Sequence, residues 1–99
     1  MSRLRKKVYE KLRKVPKGKF ITYKKLAEAV NSKAYRAVGT FMKTNIFPKK
    51  IPCYKVVKSN GFVGGYSGGM KKKIALLKKD GIKVKNNKVD LEKYQFEFS

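Results

Sequence analysis

The feature that most constrains this chain is its charge. Twenty-seven lysines and arginines face six aspartates and glutamates, a formal net charge of +21 on 99 residues. A compact chain so charged repels itself. The hydrophobic fraction of 41% is enough for one modest core and not for two. No apolar run approaches the ~20 residues that span a bilayer. The start, Met1-Ser2-Arg3-Leu4-Arg5-Lys6-Lys7, is basic but leads into no apolar stretch, so it is no secretory signal. One cysteine makes no internal disulfide, and the absence of histidine excludes His-Cys zinc sites and Ser-His-Asp or Cys-His relays. Neither a metal nor a cofactor is expected. A reduced thiol and the lack of targeting signals suit the cytosol, near the nucleoid, or a nucleus.

Such an excess of positive charge points to a polyanionic partner, because the field speeds encounter and counterion release drives binding. Nucleic acid is the first candidate and an anionic membrane surface the second. Lysine occurs along the whole chain, so part of the excess reflects composition. Binding to nucleic acid is expected to fall steeply with salt.

Apolar periodicity predicts helices. Leu4, Val8 and Leu12, closed by Val15, mark one over 3–14. Pro16-Lys17-Gly18-Lys19 stops it, and Phe20-Ile21 is a short apolar step. Thr22 is an N-cap for a helix over 23–30, with Tyr23, Leu26, Ala27 and Val30 on one face. Asn31-Ser32 breaks that helix and introduces another over 33–44, with Ala34, Ala37, Val38 and Phe41 inside and Arg36, Thr40 and Lys43 outside. Two short helices joined by a tight polar break, the second basic, are the pattern of a helix-turn-helix or of a plain helical hairpin, and the charge favours the DNA-binding form.

Pro48 and Pro52 exclude a continuous helix beyond this point. Ile51-Pro52-Cys53-Tyr54-Lys55-Val56-Val57 reads as a turn and strand, and Ser59-Asn60-Gly61 as a turn. Gly64, Gly65, Gly68 and Gly69 surround Tyr66-Ser67, a backbone either flexible or shaped for close approach. A helix over 70–79 places Met70, Ile74 and Leu77 inward and ends at Asp80-Gly81. Ile82-Lys83-Val84 and Lys88-Val89-Asp90 form a small hairpin around Asn86-Asn87, and Tyr94-Gln95-Phe96-Glu97-Phe98 packs back extended. The expected fold is mainly α with a small β element, a winged-helix-like helix-turn-helix domain.

Cys53 is the candidate reactive group. It follows a proline at a loop-to-element junction, between the helix pair and the glycine-rich loop. A helix start, Lys55 and the positive potential would all favour its thiolate.

These residues resemble a family. Ile51 to Val57 with Gly64-Gly65-Tyr66-Ser67-Gly68-Gly69 is similar to the active-site segment of the O6-alkylguanine-DNA alkyltransferases, also called methylated-DNA–protein-cysteine methyltransferases. Tyr35-Arg36-Ala37-Val38-Gly39, Thr22-Tyr23 and Asn45 fit the same family, and the resemblance runs from about Val8 to Gly81. It implies one DNA-binding and active-site domain over 1–99, without the N-terminal domain that many members carry. Val89 to Tyr94 resembles the tail of the single-domain alkyltransferase-like proteins.

The resemblance implies a monomer that binds double-stranded DNA containing O6-alkylguanine, and no membrane. Its helix-turn-helix enters the minor groove, with Arg36 replacing a flipped guanine and Tyr35, Ala37, Thr40 and Lys43 against the DNA. Flipping is needed because the alkyl carbon is out of reach inside the stack. Cys53 then takes the alkyl group irreversibly, in a single turnover. Tyr23 assists the leaving base and Asn45 braces the cysteine loop. Tyr23, Val56, Tyr66, Ser67, Gly68 and Lys73 form the base pocket, although Lys73 lies in a triple-lysine run. The sequence departs from the family at its proton relay. Tyr54 stands at the histidine position, Lys55 at an arginine and Asp80 at a glutamate. A phenol is a poor base at neutral pH, so the expected activity is weakened or more pH-dependent. The alternative implied by the resemblance is an alkyltransferase-like protein, which binds alkylated guanine without transfer and passes it to other repair factors. A basic helix-turn-helix binder with no lesion preference is a third reading.

Overall fold

The computed structural model describes residues 2–47, 49–66 and 68–98. Helix α1, Arg3–Leu12, is capped by the Ser2 hydroxyl, which accepts from the Arg5 amide at 3.1 Å. It ends two residues before the expected position 14, because Lys14 N and Val15 N turn back to Lys11 O and Leu12 O. Its buried stripe gains a residue that the four-residue spacing missed: Tyr9 is buried, and its phenol donates to Phe41 O at 2.7 Å.

Strand β1, Ile21–Thr22, leads straight into α2, Tyr23–Ala29, and the Thr22 hydroxyl accepts from Lys25 N at 3.1 Å. Asn31 adopts a left-handed conformation (φ 55°) that ends the helix. Helix α3 is Tyr35–Lys43 and starts two residues later than expected. Residues 32–34 are taken up in a turn in which Ser32 Oγ accepts from Ala34 N. Ala34 is therefore an exposed N-cap and not an inner-face residue. Met42 takes the inward place, buried with Val38, while Ala37 and Phe41 are half-buried. Helices α2 and α3 form a helix-turn-helix in a mainly helical domain with minor strands.

The second half closes on the first through strands. A 3-10 turn, Cys53–Lys55, passes into β2, Val56–Val57, which pairs in parallel with β1 (Ile21 with Val56, Thr22 with Val57). Helix α4, Met70–Lys79, ends in a glycine turn: Gly81 (φ 90°) donates to Lys78 O and Ile82 N to Leu77 O. Strands β3, Val84–Lys85, and β4, Lys88–Val89, form the expected hairpin, with Asn86 and Asn87 both left-handed as a two-residue turn of this kind requires.

The chain end is only partly extended. Asp90 caps a short helix α5, Leu91–Tyr94, and the chain then lies along Phe20, whose amide donates to Tyr94 O and whose carbonyl accepts from Phe96 N at 2.7 Å.

Two apolar clusters result. One joins α1, α2 and α3 to Ile51, Cys53 and Val56, and the other gathers Phe20, Val57, Val63, Leu77, Ile82 and Val89. Phe20 and Ile21 are consecutive, fully buried, and lie in different clusters, so they stitch the two together. Phe20→Ala should cost about 3–5 kcal/mol, whereas Ile46→Ala, at a side chain 78% exposed, should be nearly neutral. Urea midpoints of the two variants test the contrast.

Candidate functional site

The Asn45–Ile51 loop and the 3-10 turn set the place of Cys53. Asn45 is buried, and its Nδ2 donates to Ile51 O at 2.8 Å while its Oδ1 accepts from Phe47 N at 2.9 Å. Ile51 O also accepts from Cys53 N at 2.8 Å. Asn45 thus holds the carbonyl on which the cysteine backbone hangs.

Cys53 is 1% exposed, and its thiol packs within the helical cluster. The sulfur is therefore closed off from solvent. Around it stand Tyr23, Tyr66 and Lys73. Burial pushes the Tyr23 and Tyr66 phenols up, and negative charge on Cys53 pushes both further the same way. Both rings therefore keep their protons as hydrogen-bond donors.

Lys73 is the residue the sequence undervalued. Lys71 and Lys72 are exposed, but Lys73 is fully buried. Its Nζ donates to Val56 O at 2.6 Å and Gly65 O at 3.1 Å, and lies 5.9 Å from the centre of the Tyr23 ring. Burial lowers its pKa to about 8; charge on Cys53 opposes the shift and Lys58 adds to it. Only the residue's spacing along α4, one turn from Leu77, could have signalled an inward position. Lys55 behaves differently from the expectation that it would favour the thiolate. Its ammonium is buried and directed to Val15 O at 2.8 Å, so the cation coupled to Cys53 is Lys73. The element that begins at Cys53 has three residues, too short to supply a helix field.

Tyr54 and Asp80 meet. The Tyr54 phenol donates to Asp80 Oδ2 at 2.7 Å, with Asp80 held as the C-cap of α4. Burial, then this hydrogen bond and the Asp80 charge, raise the phenol well above its ordinary value. It stays protonated at physiological pH and points its one proton at the carboxylate, which makes the pair a strut and a poor acceptor for a thiol proton.

The glycine-rich loop lies over these groups. A Cβ on Gly64, which has φ 74°, would stand 3.4 Å from the Tyr23 hydroxyl. One on Gly68 would meet the Tyr66 ring at 2.9 Å. Ser67 lies outside the described residues. Val56 is fully buried with its carbonyl engaged by Lys73, so it forms wall and not lining.

On α3, Arg36, Thr40 and Lys43 are exposed along one face, Tyr35 is 41% exposed, and Ala37 is half-buried. Lys43 reaches within 3.6 Å of a Cβ on Gly65, bringing this face to the edge of the loop. Tyr35, Tyr23, Lys24, Lys58, Ser59 and Asn60 surround an open cavity of about 370 Å³. It lies beside Tyr23 and is not lined by Cys53. No helix among the described residues is long and apolar enough to cross a membrane. No cluster of three or more metal-ligating side chains occurs among them.

Residues 3–82 match the family model for the DNA-binding domain of 6-O-methylguanine DNA methyltransferase. The chain belongs to this family. Within the methyltransferase family it is 43% identical over 90 residues to a bifunctional methyltransferase/endonuclease of Picrophilus torridus, covering 90% of this chain and 30% of that one. It is 44% identical over 81 residues to the methylated-DNA–protein-cysteine methyltransferase of Metallosphaera sedula, covering 82% and 51%. The chain therefore spans about a third to a half of the length of these relatives.

Among solved structures, the O6-methylguanine-DNA methyltransferase of Pyrococcus kodakaraensis superposes with a TM-score of 0.75 at 43% identity, over 83% of this chain and 48% of that one. S. pombe Atl1, solved with damaged DNA containing O6-carboxymethylguanine, superposes with a TM-score of 0.89 at 25% identity, over 99% and 98%.

The buried Lys73 gives a pH signature. Folded, it loses its proton near pH 8; unfolded, near the ordinary 10.5. Between these values the unfolded state binds more protons, so stability should rise with pH from about 8 upward. Urea midpoints from pH 7.5 to 9.5 should climb in the parent chain and stay flat in Lys73→Met; equal slopes would show that Lys73 is not the source.

Proposed function

We propose that this chain binds duplex DNA carrying O6-alkylguanine and takes the alkyl group onto Cys53. The observation that supports this best is the convergence of the thiol with Tyr23, Tyr66 and Lys73 beneath a glycine-rich loop, next to an exposed Arg36 helix face. Arg36 fills the stack left by the everted guanine, and Tyr35, Ala37, Thr40 and Lys43 lie along the duplex. Gly64, Gly65, Tyr66, Ser67 and Gly68 form the loop over the base.

The cysteine thiolate attacks the alkyl carbon. A sulfur–carbon bond forms, the bond from that carbon to O6 breaks, and its electron pair passes to the guanine. Tyr23, whose phenol keeps its proton, hydrogen-bonds the leaving base and stabilises its charge. Asn45 holds the cysteine backbone in register. Lys73 supplies the positive charge that the thiolate needs, in a site where Tyr54 and Asp80 engage each other. The product thioether is inert, so each chain acts once.

Because Cys53 is 1% exposed, transfer requires the packing over the sulfur to open. That closure, with the Tyr54–Asp80 strut and the full-length likeness to Atl1, favours a second reading: the lesion is bound and left unaltered for other repair factors. The thiol suits the cytosol or nucleus.

Intact-mass spectrometry after incubation with duplex DNA containing O6-methylguanine separates the readings. Transfer adds the mass of one CH2 unit at Cys53 and is lost in Cys53→Ala; tight lesion binding without a mass gain supports the second reading. If transfer occurs, its single-turnover rate should climb with pH, tracking the thiolate fraction. A plateau at acidic pH would argue against that dependence. Arg36→Ala should erase preference for the lesion while weakening undamaged-duplex binding only severalfold, as a single lost phosphate-range charge would. Equal losses on both duplexes would remove its role in flipping.

A further inference from the structure

A separate cavity is lined by none of Cys53, Lys73 and Arg36. It lies between one face of α1 and the Asn45–Ile51 loop, and its volume is about 720 Å³, within the ~300–1,000 Å³ of ligand-binding clefts. Tyr9, Phe47 and Ile51 supply apolar surface, while Lys6, Arg13, Lys49 and Lys50 bring four positive charges to its lining. A second hollow of about 320 Å³ continues from it, sharing Tyr9 and Phe47 and adding Ile46 and Arg5.

Three large hydrophobic side chains are exposed among the described residues: Tyr35, Ile46 (78%) and Phe47 (45%). Two of the three stand side by side in this groove. They are not there by accident of a loose loop, because Asn45 ties its side chain to Phe47 N and Ile51 O and so fixes the turn that turns them outward.

We infer that this groove docks an acidic segment of another protein that carries bulky apolar side chains. The apolar surface calls for aliphatic or aromatic groups, since leaving Ile46 and Phe47 in water forgoes burial worth about 25 cal/mol per Å². The cations call for carboxylates, which would steer the encounter and fix the segment's direction. A DNA duplex satisfies only the second demand. Its accessible outer surface is phosphate, which gains nothing from Ile46 and Phe47. The larger cavity takes no residue from α2 or α3, and the smaller hollow reaches only Thr44, the C-cap of α3, so neither is lined by the exposed Arg36. An alternating acidic and apolar peptide satisfies both demands. Its seat is the loop that ends at the Cys53 backbone, so a partner held here sits one hydrogen-bonded turn from the candidate site.

The test uses the full chain and a fluorescein-labelled 14-residue peptide alternating Glu or Asp with Leu or Phe, with fluorescence anisotropy at 300 mM NaCl to suppress charge-only contact. The comparison peptide has the same charges with serine in place of the apolar residues. The first peptide should bind at least tenfold more tightly than the second. Phe47→Ser and Ile46→Ser should each weaken it at least fivefold while leaving affinity for undamaged duplex DNA within twofold. Amide shifts in a two-dimensional NMR titration should cluster on Lys6, Glu10, Arg13 and residues 46–51. Circular dichroism establishes that both variants fold, and Ile46, being the more exposed, serves if Phe47→Ser does not.

Equal binding of the two peptides would reduce the effect to net charge and overturn the inference. So would no binding by the apolar peptide, shifts centred elsewhere, or loss of duplex binding by the Ile46 and Phe47 variants as large as the loss of peptide binding. None of these outcomes depends on whether Cys53 accepts an alkyl group.

Discussion

Two ammonium groups buried against backbone carbonyls hold the centre of this molecule. Lys73 reaches Val56 O and Gly65 O from α4, and Lys55 reaches Val15 O in the turn that follows α1. Neither relies on a carboxylate for its hydrogen bonds, and a chain with six acidic residues has few to spare. Burying a cation is unfavourable unless hydrogen bonds replace its water, and carbonyl dipoles do that here. The result is that the short stretch from Cys53 to Val57 is tied to three other parts of the chain: the turn after α1, the loop over it and the helix behind it. The parallel pairing of Ile21 with Val56 adds the fourth tie.

Helix positions were legible because an apolar stripe repeats within one turn and needs no partner to be recognised. The ends were less so. The α1 limit depends on a local turn, and the start of α3 depends on the Ser32 hydroxyl taking the Ala34 amide. Ala34, expected on the inner face, became an exposed cap, and Met42, assigned to neither face, is buried. The two-residue pairing of β1 and β2 left no sequence pattern, since its partners lie far apart and two residues have no period. Of the candidate site, Tyr54 and Asp80 were expected to correspond to relay positions, and they do touch. Lys73 was hidden by its neighbours: three lysines in a row look alike, and only the helix phase distinguishes the one facing inward. The groove along α1 was invisible, because Ile46 and Phe47 in a sequence look like core.

Two kinds of contact divide the neighbourhood of the Cys53 thiol. A phenol that donates to a carboxylate is a fixed contact, so the positive charge near the sulfur comes from α4. The same ammonium also grips Gly65, in the glycine-rich loop. Thiol electrostatics and loop position therefore share one residue, and a movement of that loop changes the surroundings of the sulfur directly.

The lone ion pair among the described residues, Lys25 with Glu97 at 2.6 Å, lies in the open at the chain end. Nearly every other positive charge is answered only by solvent. Dissolved ions should then firm this fold by shielding mutual repulsion, the opposite of their effect on a protein knitted by surface ion pairs. A nucleic-acid strand does the same more effectively than any small anion. The protein is in this sense electrically incomplete alone, and a bound polyanion would serve as counterweight as well as ligand.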